Sequence, residues 1–130
     1  NPFSRAVKRM REAGLEAYYG RWLIEGRPQA VLVNPHQVFD KLGDIKYKLW
    51  DHHNISTPGQ HDLINQVVAF GYMCEQFFLY LAEDEAAKDR GMIAHFHEWM
   101  AGTCIPGIRK ATEKIKIVFT THATSNMTIA

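Results

Sequence analysis

Residues 91–124 read GMIAHFHEWMAGTCIPGIRKATEKIKIVFTTHAT, and the rest of the chain is organised around this stretch. Met92–Phe96 and Ile115–Thr120 are short apolar runs of the length typical of strands. Between them, Glu98–Lys114 has the length and apolar spacing of a crossover helix, which the pair Pro106-Gly107 should kink or split. The stretch therefore predicts a strand–helix–strand unit in which the two strands run parallel.

Polar side chains follow both predicted strands. The two clusters are His97-Glu98-Trp99 and Thr121-His122-Ala123-Thr124. Ligands of open parallel sheets bind beyond the carboxyl ends of the strands, so we expect these clusters to line one shared site.

The rest of the chain predicts further helices and strands around this unit. The predicted elements are a helix with Phe3, Val7 and Met10 on one face that ends at Gly14, strands Ala17–Ile24 and Ala30–Val33, a helix from Asn34-Pro35 to about Trp50, and a helix from about Gln60 to Ala87. In the last of these, Gly71 is expected to allow close packing. The fold class expected is α/β, with a Rossmann-like, mainly parallel sheet flanked by helices.

Composition excludes several classes of function. The chain has 130 residues, enough for one domain, with fifteen basic and fourteen acidic residues and no block of either sign. Charge therefore does not support nucleic acid as a partner. An apolar run long enough to span a membrane is absent from the sequence, so no membrane is expected either. Cys74 and Cys104 lie in apolar helical contexts, which favours a reducing compartment, and we expect the cytoplasm.

Metal and nucleophile chemistry receive little support from the motifs. His95-x-His97 and His52-His53 could ligate zinc, but Ala101 stands where the zinc-protease motif needs its second His. The favoured interpretation is a buried His95 with exposed His52 and His53, and no metal or cofactor is expected. There is also no Gly-x-Ser-x-Gly elbow, and no Gly-rich phosphate loop follows either strand.

Imidazoles, a carboxylate and an aromatic ring at a strand-end crevice suit a carbohydrate. They offer hydrogen bonds to several hydroxyls, and Trp99 could stack on a sugar face. Two structural alternatives stay open at this point: a His at a strand terminus can cap a backbone group, and Trp99 can belong to the core.

Three blocks of sequence closely resemble glycogen synthase of the animal and fungal type. They are Gly20–Gly26 (GRWLIEG), Ala94–Gly102 (AHFHEWMAG) and Phe119–Thr124 (FTTHAT). The blocks occur in the family's order, and the likeness runs from about Leu15 to Thr124. The chain begins without Met and stops after the last block, so it is interpreted as a piece of a longer protein.

The resemblance implies a retaining glucosyltransferase with two Rossmann-like domains, the GT-B arrangement. Residues 1–130 would be a fragment of the N-terminal, acceptor-side domain, inactive alone. The full-length parent, which could be a homo-oligomer, would use a nucleotide-sugar donor (UDP-glucose or ADP-glucose, typically UDP-glucose in this branch) and an α-1,4-glucan acceptor.

The resemblance also assigns roles to the two clusters. In the family, an acid and a later His are separated by 24 residues, as Glu98 and His122 are here. His122 would lie against the transferred glucose and Glu98 would help to shape the same pocket. These two are the catalytic candidates, and His97, Trp99, Thr121 and Thr124 are the substrate-binding candidates.

The chain departs from the family directly after the last block. Where the family has Leu-Leu-Gly-Arg, this sequence has Ser125-Asn126-Met127-Thr128, so Thr128 replaces an Arg that faces donor phosphate. This departure, with the absence of the family's Gly-rich N-terminal loop, keeps open a non-catalytic glucan- or protein-binding module on the same scaffold. A regulatory flavodoxin-like domain is disfavoured because it would need an acidic or glycine-rich loop.

Overall fold

The computed structural model describes residues 1–122, which form an α/β structure with two small sheets. The elements in chain order are α1 (Pro2–Glu12), β1 (Ala17–Arg21), β2 (Gln29–Val33), a first 3-10 helix (Pro35–Lys41), α2 (Leu42–His53), α3 (Asp62–Glu83), β3 (Met92–His97), a second 3-10 helix (Trp99–Cys104), α4 (Ile105–Ala111) and β4 (Ile115–Thr120). None of the helices in this described part is long and apolar enough to cross a membrane.

The predicted strand–helix–strand unit is confirmed. β3 and β4 pair in parallel, with Met92 opposite Ile115 and His97 opposite Thr120. The crossover is split as Pro106-Gly107 predicted: a 3-10 helix comes first, and α4 starts at Ile105 with the proline in its first turn. Proline lacks a backbone N–H, and the N–H groups of a first helical turn have no partner within the helix. Pro106 therefore lies where the missing N–H costs least, at the start of α4.

The single, mainly parallel sheet predicted from the sequence is wrong for the described residues. β1 and β2 form a separate antiparallel hairpin, and β3 and β4 form a parallel sheet of only two strands. The hairpin turn explains the difference, because Gly26 (φ 83°) and Arg27 (φ 43°) both adopt left-handed backbone conformations that reverse the chain. Strand β1 also ends at Arg21, before the predicted Ile24.

The long helix α3 joins two hydrophobic clusters. Its Ala69 and Met73 pack with α1, the hairpin and the first 3-10 helix, whereas Ala82 packs with β3, β4 and α4. The helix therefore buries residues on most sides. It ends at Glu83, earlier than the predicted Ala87.

An ion pair ties the charged segment that follows α3 to α1. The Arg5 guanidinium donates two hydrogen bonds to the Asp84 carboxylate, at 2.7 and 2.9 Å, and this carboxylate also accepts from the Ala86 backbone N–H. The Asp84 side chain is 11% exposed, and the ion pair joins the end of α3 to α1. The Arg5 hydrogen bonds lower the pKa of Asp84 to about 2.

Candidate functional site

The two predicted clusters meet at one edge of the β3–β4 sheet. Parallel pairing brings the carboxyl ends of both strands to this edge, which we call the rim and define by Glu98, Thr120, Thr121 and His122. The Glu98 backbone N–H donates to the Thr120 carbonyl at 2.9 Å, so the pairing continues one residue beyond β3. The Glu98 carboxylate (Oε1) accepts a hydrogen bond of 2.7 Å from the His122 backbone N–H.

The backbone of Glu98 adopts a strained conformation at the rim. Its φ of 66° and ψ of 163° fall in a region that is populated almost only by glycine. For a residue with a side chain, such a conformation costs about 1–3 kcal/mol and persists only where neighbouring contacts fix it. Backbone strain of this kind concentrates at functional sites, which makes Glu98 a candidate independently of any family.

Three imidazoles form a row beside Glu98. Residues of β3 alternate between faces: Ala94 and Phe96 are buried, whereas His95 and His97 are exposed on the opposite face. The ring centroids of His95 and His97 are 4.2 Å apart, and those of His97 and His122 are 6.2 Å apart with the rings nearly parallel at 13°. His97 thus lies between the other two rings and next to the rim.

His95 is a residue that the sequence interpretation placed wrongly. It was expected to be buried, but it is exposed and its Nε2 lies 2.7 Å from the Thr120 Oγ1. The signal was present in the sequence, because His95 and His97 are two residues apart in a strand and must share a face. Ala94 and Phe96 occupy the core face, which leaves the histidines to solvent.

The remaining candidates differ in where they lie. Thr121 is exposed, and its hydroxyl donates to the His122 carbonyl at 3.2 Å. Trp99 is 45% exposed at the start of the second 3-10 helix, where its ring lines an apolar hollow of about 390 Å³ with Leu49 and Phe119. Thr124 lies outside the described residues, as does Thr128.

A second cavity lies away from the rim, between α2, α3 and α4. It has a volume of about 500 Å³, and Lys48, Glu75 and Lys110 are among the residues that line it. Burial raises the pKa of the Glu75 carboxyl, and the Coulombic effect of Lys48 opposes this shift. In residues 1–122, no group of three or more His, Cys, Asp or Glu side chains is arranged to hold a metal ion.

The chain matches the family described as glycogen synthase over residues 1–127. It belongs to the glycogen synthase family. Among curated relatives, it is 36% identical over 125 residues to the glycogen [starch] synthase of Neurospora crassa and 34% identical over 123 residues to isoform 1 of Saccharomyces cerevisiae, in both cases over 95% of the chain. It is 34% identical over 119 residues, 92% of the chain, to the glycogen [starch] synthase of Caenorhabditis elegans.

The family membership confirms the resemblance carried by the three blocks. The chain spans 17% of the length of the two fungal relatives and 18% of the nematode one. Within that span, the structure brings Glu98, Thr121 and His122 together at the rim with His97 next to it, whereas Trp99 lines an apolar hollow that contains no rim residue.

Proposed function

We propose that this chain is part of the N-terminal, acceptor-side domain of a retaining glucosyltransferase of the GT-B arrangement. The parent enzyme transfers glucose from a nucleotide sugar, UDP-glucose, to the non-reducing end of an α-1,4-glucan in the cytoplasm, and residues 1–130 alone do not catalyse this transfer. Family membership supports the reaction class. One observation carries the assignment to this site: the Glu98 carboxylate holds the His122 backbone across the ends of two adjacent parallel strands.

The chemistry of glucosyl transfer makes such an arrangement useful. Positive charge develops at the anomeric carbon as the nucleotide diphosphate leaves, and dipoles fixed beforehand around that carbon stabilise the transition state. In this proposal, His122 lies against the glucose and contributes its carbonyl and imidazole dipoles, while Glu98 fixes the backbone that carries them. Because this positive charge develops in the transition state and is absent from the bound substrate, the effect of such dipoles is on kcat more than on KM.

The remaining substrate-binding candidates, at the rim and next to it, would bind hydroxyls of the sugar. His97 lies between His95 and His122 and presents its imidazole on the exposed face of the sheet. Thr121 adds a hydroxyl next to His122. Trp99 and Thr124 stay predictions as sugar contacts. Hydroxyl contacts of this kind orient the substrate, and an orientation fixed in advance lowers the entropic barrier to transfer.

The test uses the full-length parent protein with His122→Ala and, as the matched control, His52→Ala, which removes an exposed imidazole on α2. We expect His122→Ala to lower kcat for transfer from UDP-glucose to glycogen by about a hundredfold or more, the loss typical when one transition-state dipole is removed. The control should transfer glucose at the wild-type rate. Normal turnover by the His122 variant would refute the assigned role, and a preference for ADP-glucose would refute the proposed donor.

A second candidate is a non-catalytic glucan- or protein-binding module on the same scaffold. Thr128 favours it, because the family has at this position an Arg that faces donor phosphate. This candidate predicts that the wild-type parent binds glycogen in a sedimentation assay but transfers no glucose from either nucleotide sugar. Measurable transfer by the wild-type parent excludes it.

A further inference from the structure

Thr103 fits into a notch on the surface of α3. Its hydroxyl donates a hydrogen bond of 3.3 Å to the backbone carbonyl of Val67. The notch exists because residue 71 is glycine: a Cβ there would lie 1.8 Å from Thr103 Oγ1, 3.1 Å from Thr103 Cβ and 3.3 Å from the Cys104 backbone nitrogen. No side chain at position 71 can coexist with Thr103 in its present place.

The second 3-10 helix connects this notch to the rim. It runs from Trp99 to Cys104, so Glu98 lies at one end and Thr103 near the other. The Ala101 backbone N–H donates to the Glu98 carbonyl at 3.1 Å, and Cys104 is buried in the core. On the side facing β4, a Cβ at Gly102 would lie 3.2 Å from the Phe119 ring. Since the helix is packed on two sides, it connects the position of Thr103 to that of Glu98.

Glu98 needs such an anchor because its backbone is strained. On the sheet side, its N–H is bonded to Thr120 and its carboxylate to His122. These two bonds fix where the residue lies relative to β4, and the direction in which the chain leaves Glu98 is fixed by the 3-10 helix. Glu98 retains a backbone conformation typical of glycine only while the two bonds to the β4 side and the packing of the 3-10 helix both stay in place.

We propose that Thr103 is a positioning residue for the transfer reaction, and that Gly71 provides the space it requires. Seated against α3, Thr103 holds the second 3-10 helix in the place that keeps Glu98 in its left-handed conformation, and Glu98 in turn holds His122. This inference rests on the proposed function, in which His122 lies against the transferred glucose. It assigns a role in catalysis to a pair of residues that lie away from the rim.

The first test is a double-mutant cycle in the full-length parent, with Gly71→Ala and Glu98→Gly. Gly71→Ala should lower kcat by about tenfold or more while KM for the nucleotide sugar changes by less than about threefold, since the displaced group acts on the transition state. Glycine at 98 removes both the strain and the carboxylate, so adding Gly71→Ala to it should lower kcat no further. Fully additive losses would overturn the proposal, because they would mean that Gly71 does not act through Glu98.

Substitutions at Thr103 test the same coupling from the other side. Thr103→Ala removes the hydroxyl that would clash with an alanine at position 71, so the double variant should recover part of the kcat lost by Gly71→Ala alone. Thr103→Ser keeps the hydroxyl and should retain wild-type kcat. Thr103→Val keeps the shape of the side chain, removes the hydrogen bond to Val67 and leaves α3 unchanged. It should lower kcat, and it tests the proposal even if Gly71→Ala does not fold. Wild-type kcat in Thr103→Val, or no recovery in the double variant, would overturn the proposal.

Hydrogen–deuterium exchange provides a measurement that does not depend on activity. The His122 amide is bonded to Glu98, so a peptide that includes it should exchange faster in Gly71→Ala than in wild type. The control is Gly43→Ala in α2, where a Cβ would meet nothing within 4 Å. Unchanged exchange in an active parent would overturn the positioning role. Faster exchange in a parent that transfers no glucose would support the structural coupling of Gly71 and Thr103 to His122 and would overturn the proposed function, and with it the role in transfer.

Discussion

The Glu98 carboxylate accepts a hydrogen bond of 2.7 Å from the His122 backbone N–H, which lies 24 residues further along the chain. This bond joins the end of β3 to the segment that follows β4. A carboxylate that binds a backbone N–H forms a charge-assisted bond, which is stronger than a bond between neutral groups. Glu98 therefore fixes the backbone of His122, a residue that β3 does not contact through main-chain pairing.

Replacing Glu98 should separate the charge of its side chain from its ability to accept a hydrogen bond. Glu98→Gln keeps an oxygen acceptor, whereas Glu98→Ala leaves the His122 N–H without its partner. Hydrogen bonds to charged groups contribute about 1.5–3 kcal/mol, and if the placement of His122 that this bond fixes acts on the transition state, Glu98→Ala should lower kcat by about ten- to a hundredfold. Glu98→Gln should retain most of kcat. Steady-state kinetics of the full-length protein measures kcat for both variants. Equal losses of kcat in Glu98→Gln and Glu98→Ala would contradict the positioning role of the bond.

Two glycines with empty space around them should respond to alanine in opposite directions. A Cβ would meet nothing within 4 Å at either Gly14 or Gly43. Gly43 lies within α2, where alanine is favoured over glycine by up to about 1 kcal/mol, so Gly43→Ala should raise the free energy of unfolding. Gly14 has φ +85° just after α1, and a left-handed conformation costs an alanine about 1–2 kcal/mol, so Gly14→Ala should lower it.

Urea unfolding of the two variants, followed by tryptophan fluorescence, measures both effects. Because neither substitution creates a contact or a clash, the backbone conformation alone decides the sign. A change in the same direction for both variants would show that this reasoning is wrong.

The parallel pairing of β3 with β4 could be predicted from the sequence, but the separate antiparallel hairpin of β1 and β2 could not. Strand β3, strand β4 and the split crossover follow from apolar periodicity and from Pro106-Gly107, which are local signals. The separate antiparallel hairpin depends on the left-handed backbone conformations of Gly26 and Arg27, and of these two residue types only glycine is typical of such a turn. Because the chain reverses at this turn, β1 pairs with β2 and the four strands do not form one mainly parallel sheet.

The same distinction applies to the candidate site. Alternation along a strand was sufficient to place His95 and His97 on one face, and parallel pairing was sufficient to bring Glu98 and His122 to one edge. The positive φ of Glu98 has no sequence signature, because glutamate is neither small nor a turn former. The notch occupied by Thr103 depends on how α3 packs against the crossover. The sequence therefore predicted close packing at Gly71 but not the residue that packs there.

The Arg5–Asp84 ion pair should make stability depend on pH in acid. Hydrogen bonds from Arg5 lower the pKa of Asp84 from the ordinary value of 3.8 to about 2 in the folded protein. A carboxyl group whose folded pKa is depressed stabilises the fold fully above its unfolded pKa, and this contribution is lost as pH falls from about 3.8 to about 2. Asp84→Asn should therefore be less stable than wild type at pH 6, and the difference should close near pH 2.

Urea unfolding curves at several pH values between 2 and 6 measure this difference directly. The matched control is Glu83→Gln, which removes a carboxylate that is 62% exposed in its ion pair with Arg9. Exposed pairs contribute little, so this variant should follow wild type at every pH. A gap between Asp84→Asn and wild type that stays constant down to pH 2 would contradict the lowered pKa.

The two thiols should be almost inert in the folded protein. Burial raises the pKa of Cys74 to about 12 from an ordinary value of 9.0, and burial also raises the pKa of Cys104. Because the thiolate is the reactive form, the Cys74 shift alone predicts labelling at pH 8 that is about a thousandfold slower than for an unperturbed thiol. Absorbance with Ellman's reagent, before and after adding denaturant, measures both rates, and the single variants Cys74→Ala and Cys104→Ala assign them to each thiol. Rapid labelling of either cysteine without denaturant would show that the cluster formed by α3, α4 and the second 3-10 helix opens far more readily than its burial implies.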